Sequence, residues 1–326
     1  MLPCSFTADN EKTVGEGDKE MLLLQQMIVL FILMGIGLLC YKLQIITDEA
    51  SKKLSAIVVN IANPALVLTG CMGEERIEGR ELLVTAVLVI GVYTVLVILA
   101  MMLPRLLHVE KKSRGTYQAM TIFSNIGFMG FPVVAALYGS SAVLYASLFT
   151  IPYNILIYTL GIAAMSTRED TSWKDSFSIK RILNVGVIAC IITIIVYLLK
   201  IPVPEFIKVT TTHLSNLTAP LSMMVIGASF ASIDMKKLFT DAKLLLFSVI
   251  KLLVIPVLGV LIIRQFVDND IILGVCMVML ATPVGSMTAM LAQQYDGDYD
   301  MASRGVALTT ILSVATMPVV SMITKL

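Results

Sequence analysis

A chain of 326 residues that is 57% hydrophobic and only 14% charged is too apolar for a water-soluble domain and is typical of a polytopic membrane protein. Its 24 basic and 23 acidic residues leave a net charge of +1, which excludes the strongly basic surface of a nucleic-acid-binding protein. The five cysteines are scattered without a C-x-x-C pair, so neither a disulfide framework nor a metal site is predicted, and no cofactor is expected.

The first 26 residues are polar and net acidic, unlike the remainder of the chain. A secretory signal needs a basic start before its apolar run, so no cleaved signal is predicted. Residues 1–26 are either a polar external tail or a start-site artefact, with translation beginning at Met21 or Met27.

Apolar segments long enough to cross a bilayer follow one another along the rest of the chain. A hydrocarbon core about 30 Å thick needs ~20 apolar residues per helix. Ten segments satisfy this length, so the predicted fold is an all-α membrane protein with ten transmembrane helices. The segments run near residues 22–43, 54–72, 82–104, 115–138, 142–165, 182–200, 206–231, 242–264, 271–294 and 303–323.

The charges of the loops predict the orientation. Cytoplasmic loops carry an excess of Lys and Arg. With the N-terminus outside, fifteen basic residues face the inner side and eight face the outer side, while Lys251 lies within a span. A multi-pass protein of the cytoplasmic membrane is therefore predicted, with both termini outside.

The ten spans divide into two halves of five around the longest polar connection, 166–181, which is predicted to be a cytoplasmic linker. An odd number of spans per half turns the second half upside down relative to the first. We expect a first repeat over 27–165 and an inverted second repeat over 182–326, an arrangement found in many secondary transporters.

The fourth and ninth segments carry corresponding helix-breaking residues, with Pro132-Val133 and Pro283-Val284 standing 151 residues apart. Glycine and proline disfavour a regular helix in lipid. We expect the two broken helices to cross, with one half-helix beginning near Pro132. Where the breaks meet, the positive N-terminal ends of the half-helices would favour a bound anion. The candidate substrate-binding residues are Asn125, Gly127, Gly130 and Pro132 in the fourth segment and Thr282, Pro283, Gly285 and Ser286 in the ninth.

These residues could instead form simple proline kinks, with glycine allowing close helix packing. The presence of both interruptions at corresponding places favours the binding site.

A second pair of breaks is expected in the second and seventh segments. Asn60-Ile-Ala-Asn-Pro64 and Asn216-Leu-Thr-Ala-Pro220 stand 156 residues apart. Asn60, Asn63 and Ser222 either line the same cavity and reach substrate, or form interhelical hydrogen bonds worth about 0.6 kcal/mol each.

Charges within the spans are few. Lys251 lies eight residues beyond Lys243, or about 12 Å into a span. It could attract an anion or take part in coupling, or its side chain could extend to the interface. His213 could carry a proton, but it is more often a satisfied polar residue near a helix break. No Asp or Glu lies at the centre of a span, which argues against proton exchange, whereas Na⁺ could bind neutral oxygens at the breaks.

Four stretches resemble the auxin efflux carrier family, which includes bacterial malate or malonate permeases. The stretches are 27–37 followed by 45–54, then 125–132, 281–295 and 308–318, and the resemblance covers about 27–326. It implies a fold like that of bile-acid sodium symporters. Helices 1, 2, 6 and 7 would form a scaffold, often dimeric, and helices 3–5 and 8–10 a moving transport domain.

The resemblance also implies roles for two residues. Asn125 matches the asparagine of the family's crossover, which contacts the substrate carboxylate in the plant carriers, and Asn154 lies in a family-like fifth helix. The long cytoplasmic loop of the plant carriers is missing here, so their phosphorylation control is not implied.

The sequence therefore predicts an elevator-type carrier of a mono- or dicarboxylate, acting as a symporter or uniporter. Its expected partners are the organic anion, membrane lipid, Na⁺ or H⁺ as the candidate coupling ion, and a second copy bound through the scaffold helices. A ligand sensor or a channel on a carrier fold is the alternative. Two histidines and no H-E-x-x-H motif offer no catalytic constellation, so an enzyme is not predicted.

Overall fold

The structure is a computed structural model that describes residues 16–72, 79–165, 183–232 and 238–326. Within these ranges the chain is helical, and its only β-type pairing is an isolated antiparallel bridge between Ser124 and Val284. The predicted linker 166–181 and residues 1–15 lie outside the described residues. The first helix begins at Glu16, inside the segment predicted as a tail.

The described part of the first half contains eight α-helices, and several of them continue directly from or into a π-helix. They are α1 (Glu16–Lys42), α2 (Asp48–Ile57), a π-helix (Val58–Ala62), α3 (Asn63–Thr69), α4 (Gly79–Leu106), a 3₁₀ turn (Lys111–Ser113), α5 (Arg114–Ile122), a π-helix (Ile126–Gly130), α6 (Phe131–Ser147), α7 (Thr150–Leu156), a π-helix (Ile157–Gly161) and α8 (Ile162–Met165).

The second half has the same character. Its helices are α9 (Val185–Leu198), α10 (Glu205–Ser215), α11 (Thr218–Ser229), a 3₁₀ turn (Phe230–Ser232), α12 (Ala242–Val249), a π-helix (Ile250–Val254), α13 (Ile255–Ile263), α14 (Asp270–Ala281), α15 (Ser286–Gln294) and α16 (Tyr299–Thr324).

In the described part of the chain, five helical stretches are long and apolar enough to cross a membrane, and three shorter apolar helices accompany them. The long stretches are Leu23–Lys42, Gly79–Leu106, Ile126–Ser147, Ala242–Ile263 and Tyr299–Thr324. The third contains Gly139, whose φ of 81° is open to glycine but disfavoured for other residues. Gly139 falls in the gap predicted between the fourth and fifth segments. Over the described ranges the chain is thus all-helical with several apolar spans, consistent with a multi-pass membrane protein.

Side-chain oxygens define the starts of several helices. Asn184, Asp241, Asn269 and Asp298 each precede a helix and accept a hydrogen bond from a backbone N–H of its first turn. Such N-caps satisfy donors that have no partner within the helix.

Among the described residues, three of the four π-helices are followed by a proline at the second position of the next helix: Pro64, Pro132 and Pro256. A proline inside a regular helix removes one hydrogen bond and clashes with the carbonyl of residue i−4. A local widening to the π form accommodates both effects. The second segment, where a break was expected at Asn60–Pro64, therefore remains helical, whereas the seventh is interrupted at Asn216–Leu217.

Helices α1 and α11 come into close backbone contact at two glycines. A Cβ on Gly37 would lie 2.2 Å from the Met224 carbonyl oxygen, and one on Gly227 would lie 1.9 Å from that of Met34. Each helix therefore places a glycine against the backbone of the other, which is how membrane helices pack without a hydrophobic driving force.

Burial separates lipid-facing helices from the interior. Every residue of α14 from Ile272 to Ala281 is buried. In contrast, α4 buries one face, including Val89, and exposes apolar side chains such as Leu83 on the other. Exposed apolar faces of this kind suit a lipid environment. Because α14 has no such face between Ile272 and Ala281, this part of the ninth segment lies in the interior of the protein.

Candidate functional site

The fourth and ninth segments are both interrupted, and the two interruptions contact each other. The Asn125 N–H donates to the Pro283 carbonyl at 2.7 Å, and the Gly285 N–H donates to the Phe123 carbonyl at 2.9 Å. These bonds flank the Ser124–Val284 bridge. Extended backbone in a membrane interior must find partners within the protein, and here each interruption supplies the partners of the other. We call this junction, residues 123–125 with 282–285, the crossover.

Glycine allows the two backbones to come this close. A Cβ on Gly285 would lie 3.1 Å from the Ser124 carbonyl oxygen and 3.3 Å from that of Phe123. One on Gly130 would lie 3.1 Å from Met279 Sδ. Two of the three predicted site glycines, Gly130 and Gly285, therefore serve close packing at or beside the crossover.

Asn125 ends the extended stretch and caps the half-helix that follows. Its Oδ1 accepts from the Phe128 N–H at 3.2 Å, and its carbonyl accepts from Met129 and Gly130 at 3.2 and 3.1 Å. The residue is only 6% exposed. The sequence pattern predicts that this half-helix starts near Pro132. The structure instead starts it at Ile126, because the Asn125 side chain caps the helix at that point. Pro132 lies within the helix, after the π-helical turn.

The second half-helix at the crossover is α15, which follows Gly285. Its Thr288 N–H bonds to the Gly285 carbonyl at 3.0 Å, which leaves the N–H groups of Ser286 and Met287 without an intrahelical acceptor. Two helix N-termini, at Ile126 and Ser286, thus adjoin the crossover, and each carries a partial positive charge.

The residues of the crossover itself are buried, but the first turns of the two half-helices are not. Gly127, Ser286 and Met287 are partly exposed, whereas Asn125, Thr282 and Gly285 are buried. Access to the crossover is therefore found at the positive ends of the helices, where an anion is favoured.

Lys251 reaches the same junction from the eighth apolar span. The side chain is fully buried, and Nζ donates to Ser124 Oγ at 2.7 Å and to the Thr121 carbonyl at 3.1 Å. The Thr121 carbonyl belongs to the last turn of α5, where carbonyls lack intrahelical partners and carry partial negative charge. The lysine therefore points inward to the crossover and does not extend to the membrane interface.

A threonine from the last helix completes the support. The Val284 N–H donates to Thr309 Oγ1 at 3.1 Å, and that hydroxyl donates to the Gly305 carbonyl at 2.7 Å. Ser124 and Thr309 were not predicted as site residues, because no local signal separates them from other hydroxyl residues on apolar helices. The proline and glycine pattern located the interruptions but could not show which side chains support them.

Three buried hydroxyl or amide oxygens on helices that pack against or belong to the two half-helices have no hydrogen-bond partner among the described residues: Asn63 Oδ1, Ser222 Oγ and Thr288 Oγ1. Asn63 Nδ2 lies 3.0 Å from the position a Cβ on Gly127 would take. Ser222 lies on α11, which packs against the Ile126–Gly130 turn. Buried polar groups without partners are rare in proteins, so these oxygens are candidates for contact with a polar ligand.

Two other predicted site residues lie elsewhere. Asn60 is exposed, and its amide donates to the Ala56 carbonyl of its own helix at 2.9 Å. His213 is exposed on the last turn of α10. Asn154 accepts a hydrogen bond from the Asn184 side chain, which caps α9.

Comparison with known proteins gives a consistent result. The model of a family described as "Membrane transport protein" matches residues 22–321. An uncharacterized transporter from Methanothermobacter thermautotrophicus is 22% identical over 293 residues, which is 90% of this chain and 95% of that protein. Another, from Methanocaldococcus jannaschii, is 23% identical over 292 residues, covering 88% of this chain and 94% of the relative.

Proposed function

The chain belongs to the membrane transport protein family, which includes the auxin efflux carriers, and from this premise we propose that it is a secondary transporter for a small organic anion. The proposed substrate is a mono- or dicarboxylate, bound at the crossover. One observation carries the proposal: the N-terminal turns of the two half-helices beside the crossover are partly exposed, while a buried lysine contacts the crossover from within the protein.

The available groups favour a carboxylate. The N–H groups of Ser286 and Met287 lack intrahelical acceptors, and two neighbouring N–H donors suit the two oxygens of a carboxylate. The Asn125 side chain uses its oxygen for the N-cap, which leaves its NH₂ group as a donor. Lys251, when protonated, adds a positive charge at the same junction, which strengthens the attraction for an anion in a low dielectric.

The proposed architecture is ten transmembrane helices in two inverted repeats, 27–165 and 182–326. Helices 3–5 and 8–10 would move as a transport domain against a scaffold of helices 1, 2, 6 and 7. Contacts at both ends of the bundle support such a moving unit. Glu81 on α4 accepts from Tyr145 at 2.6 Å and from Asn269 at 2.7 Å. At the other end Ser113 donates to Asp298 at 2.6 Å.

The close packing of α1 with α11 supports the scaffold, since these are the first and seventh helices in that scheme. Two rigid bodies of this kind allow an elevator-type movement that exposes the crossover to either side in turn. We further propose that the protein lies in the cytoplasmic membrane with both termini outside, and that it forms a homodimer through the scaffold.

Uptake into proteoliposomes tests the proposed function. A panel of labelled mono- and dicarboxylates is offered to reconstituted protein, with sodium, pH and voltage gradients imposed separately. A carrier shows saturable flux of one carboxylate class that accelerates when the same compound is present on the far side. Flux without saturation would indicate a channel, and binding without flux a sensor; either result contradicts the proposal.

A further inference from the structure

Lys251 is an unusual buried charge because its described partners are both neutral. Its ammonium contacts a carbonyl and a hydroxyl, and the ion pairs found among the described residues are formed by other lysines and arginines. Burying a charge without an opposite charge is costly and is retained mainly at functional sites. The ammonium therefore needs a functional explanation beyond packing.

The two acceptors are the kind of ligands that bind an alkali cation. In a continuous helix the Asn125 N–H would bond to the Thr121 carbonyl four residues earlier. Here that N–H bonds to Pro283, so the Thr121 carbonyl is free, and Lys251 takes it. In transporters with broken helices, unwound carbonyls and C-terminal helix ends of this type coordinate the coupling Na⁺.

We propose that Lys251 is a resident cation of the crossover, held by Thr121 and Ser124 in the place that a mobile coupling ion would otherwise take. The inference rests on the proposed function as an anion carrier and specifies how that carrier is charged. Anion transport by this chain then requires no sodium, because the positive charge beside the substrate is covalently attached.

The position of Lys251 has a further consequence for transport. Lys251, Thr121 and Ser124 belong to the eighth and fourth spans, which lie together in the proposed moving unit. The ammonium then travels with the substrate, so a monocarboxylate and Lys251 together cross the membrane as a neutral pair. Movement of the loaded unit is accordingly insensitive to membrane voltage.

The test compares the wild type with Lys251→Ala and with Lys243→Ala as a matched control. Lys243 lies on the same span but is exposed at its start, where it donates to the His108 carbonyl at 2.7 Å. Uptake of labelled acetate and malonate is measured with sodium, with N-methyl-D-glucamine, and with N-methyl-D-glucamine plus methylammonium.

We expect wild-type and Lys243→Ala flux to be the same in all three media. Flux of Lys251→Ala should fall at least about tenfold without small cations, a loss of about 1.4 kcal/mol, and be partly restored by sodium or methylammonium. Wild-type flux that requires sodium would overturn the inference, as would a Lys251→Ala variant that transports normally in every medium.

Thermal unfolding of the purified protein in detergent gives a second measurement that does not depend on transport. A cation that binds the folded state raises the melting temperature. Melting temperatures are compared in sodium and in choline at equal ionic strength. Sodium should leave the wild-type melting temperature unchanged and raise the melting temperature of Lys251→Ala. If Lys251→Ala does not fold, Lys251→Met takes its place. A sodium-dependent rise in the wild-type melting temperature would reject the resident-cation role. If the melting temperatures respond to sodium as expected but no carboxylate is transported, only the proposed function is rejected.

Discussion

The backbone N–H of Asn125 donates to the carbonyl of Pro283 at 2.7 Å, although the two residues lie in different halves of the chain. This bond withdraws Asn125 from the helix that precedes it and leaves the Thr121 carbonyl to Lys251. One hydrogen bond thus joins the two interrupted segments and also determines where the buried ammonium is held. The proposed anion site depends on this junction.

Replacing Asn125 with alanine should abolish or severely reduce carboxylate uptake while costing only about 1 kcal/mol of stability, the usual value of an N-cap. The variant loses both the cap to Phe128 and the free NH₂ group at the site. Uptake and melting temperature measured on the same preparation separate the two effects. Asn60→Ala is the control, since Asn60 is exposed and bonded within its own helix; equal uptake by the two variants would remove Asn125 from the site.

A methyl group at position 285 should push the two interruptions apart. The Cβ of Gly285→Ala would lie 3.1 Å from the Ser124 carbonyl oxygen, and overpacking of this kind costs about 1–3 kcal/mol. We expect a lower melting temperature and reduced transport. Gly91→Ala, where no atom lies within 4 Å of the added carbon, should leave both unchanged. If the two variants were equally stable, the close approach at the crossover would be wrong.

Thr309→Val should weaken the crossover from the side of α16. It leaves the buried Val284 N–H without its acceptor, a loss of about 1–3 kcal/mol. The neighbouring Thr310→Val removes a hydroxyl that donates only to the Val306 carbonyl of its own helix, at 2.7 Å, so a smaller loss is expected. Chemical or thermal unfolding measures the difference, and a larger loss in Thr310→Val would contradict this ranking.

Gly37→Ala should destabilise the contact between α1 and α11, because the new methyl group would overlap the Met224 carbonyl oxygen at 2.2 Å. We expect at least about 1–3 kcal/mol of destabilisation. Gly35→Ala, two residues away with no atom within 4 Å, should instead be neutral or slightly stabilising through its higher helix propensity. A thermal unfolding series compares them, and a stable Gly37→Ala protein would rule out the tight packing.

Local composition was sufficient for much of the organisation. Runs of apolar residues indicated the membrane class. Glycine and proline marked the fourth and ninth segments as interrupted, because each of these residue types disfavours a regular helix through its own backbone. Gly139 likewise falls at the predicted boundary between two spans. Motif resemblance identified the family, which the match over residues 22–321 shows.

Other features depended on distant parts of the chain. The start of the half-helix at Ile126, the helical continuity of Val58–Thr69 despite Pro64, and the exposed position of Asn60 all differ from or refine the local expectation.

By itself, the sequence determined the class of protein, its apolar segments, the places where the fourth and ninth segments are interrupted, and its family. Only the tertiary structure decided that Lys251 bonds to Ser124, 127 residues away, and that Asn63, and not Asn60, lies beside the crossover. The physical reason is that a helix break follows from the torsional and hydrogen-bonding preferences of a few adjacent residues, whereas the partner of a buried polar group is set by which distant segments pack against it.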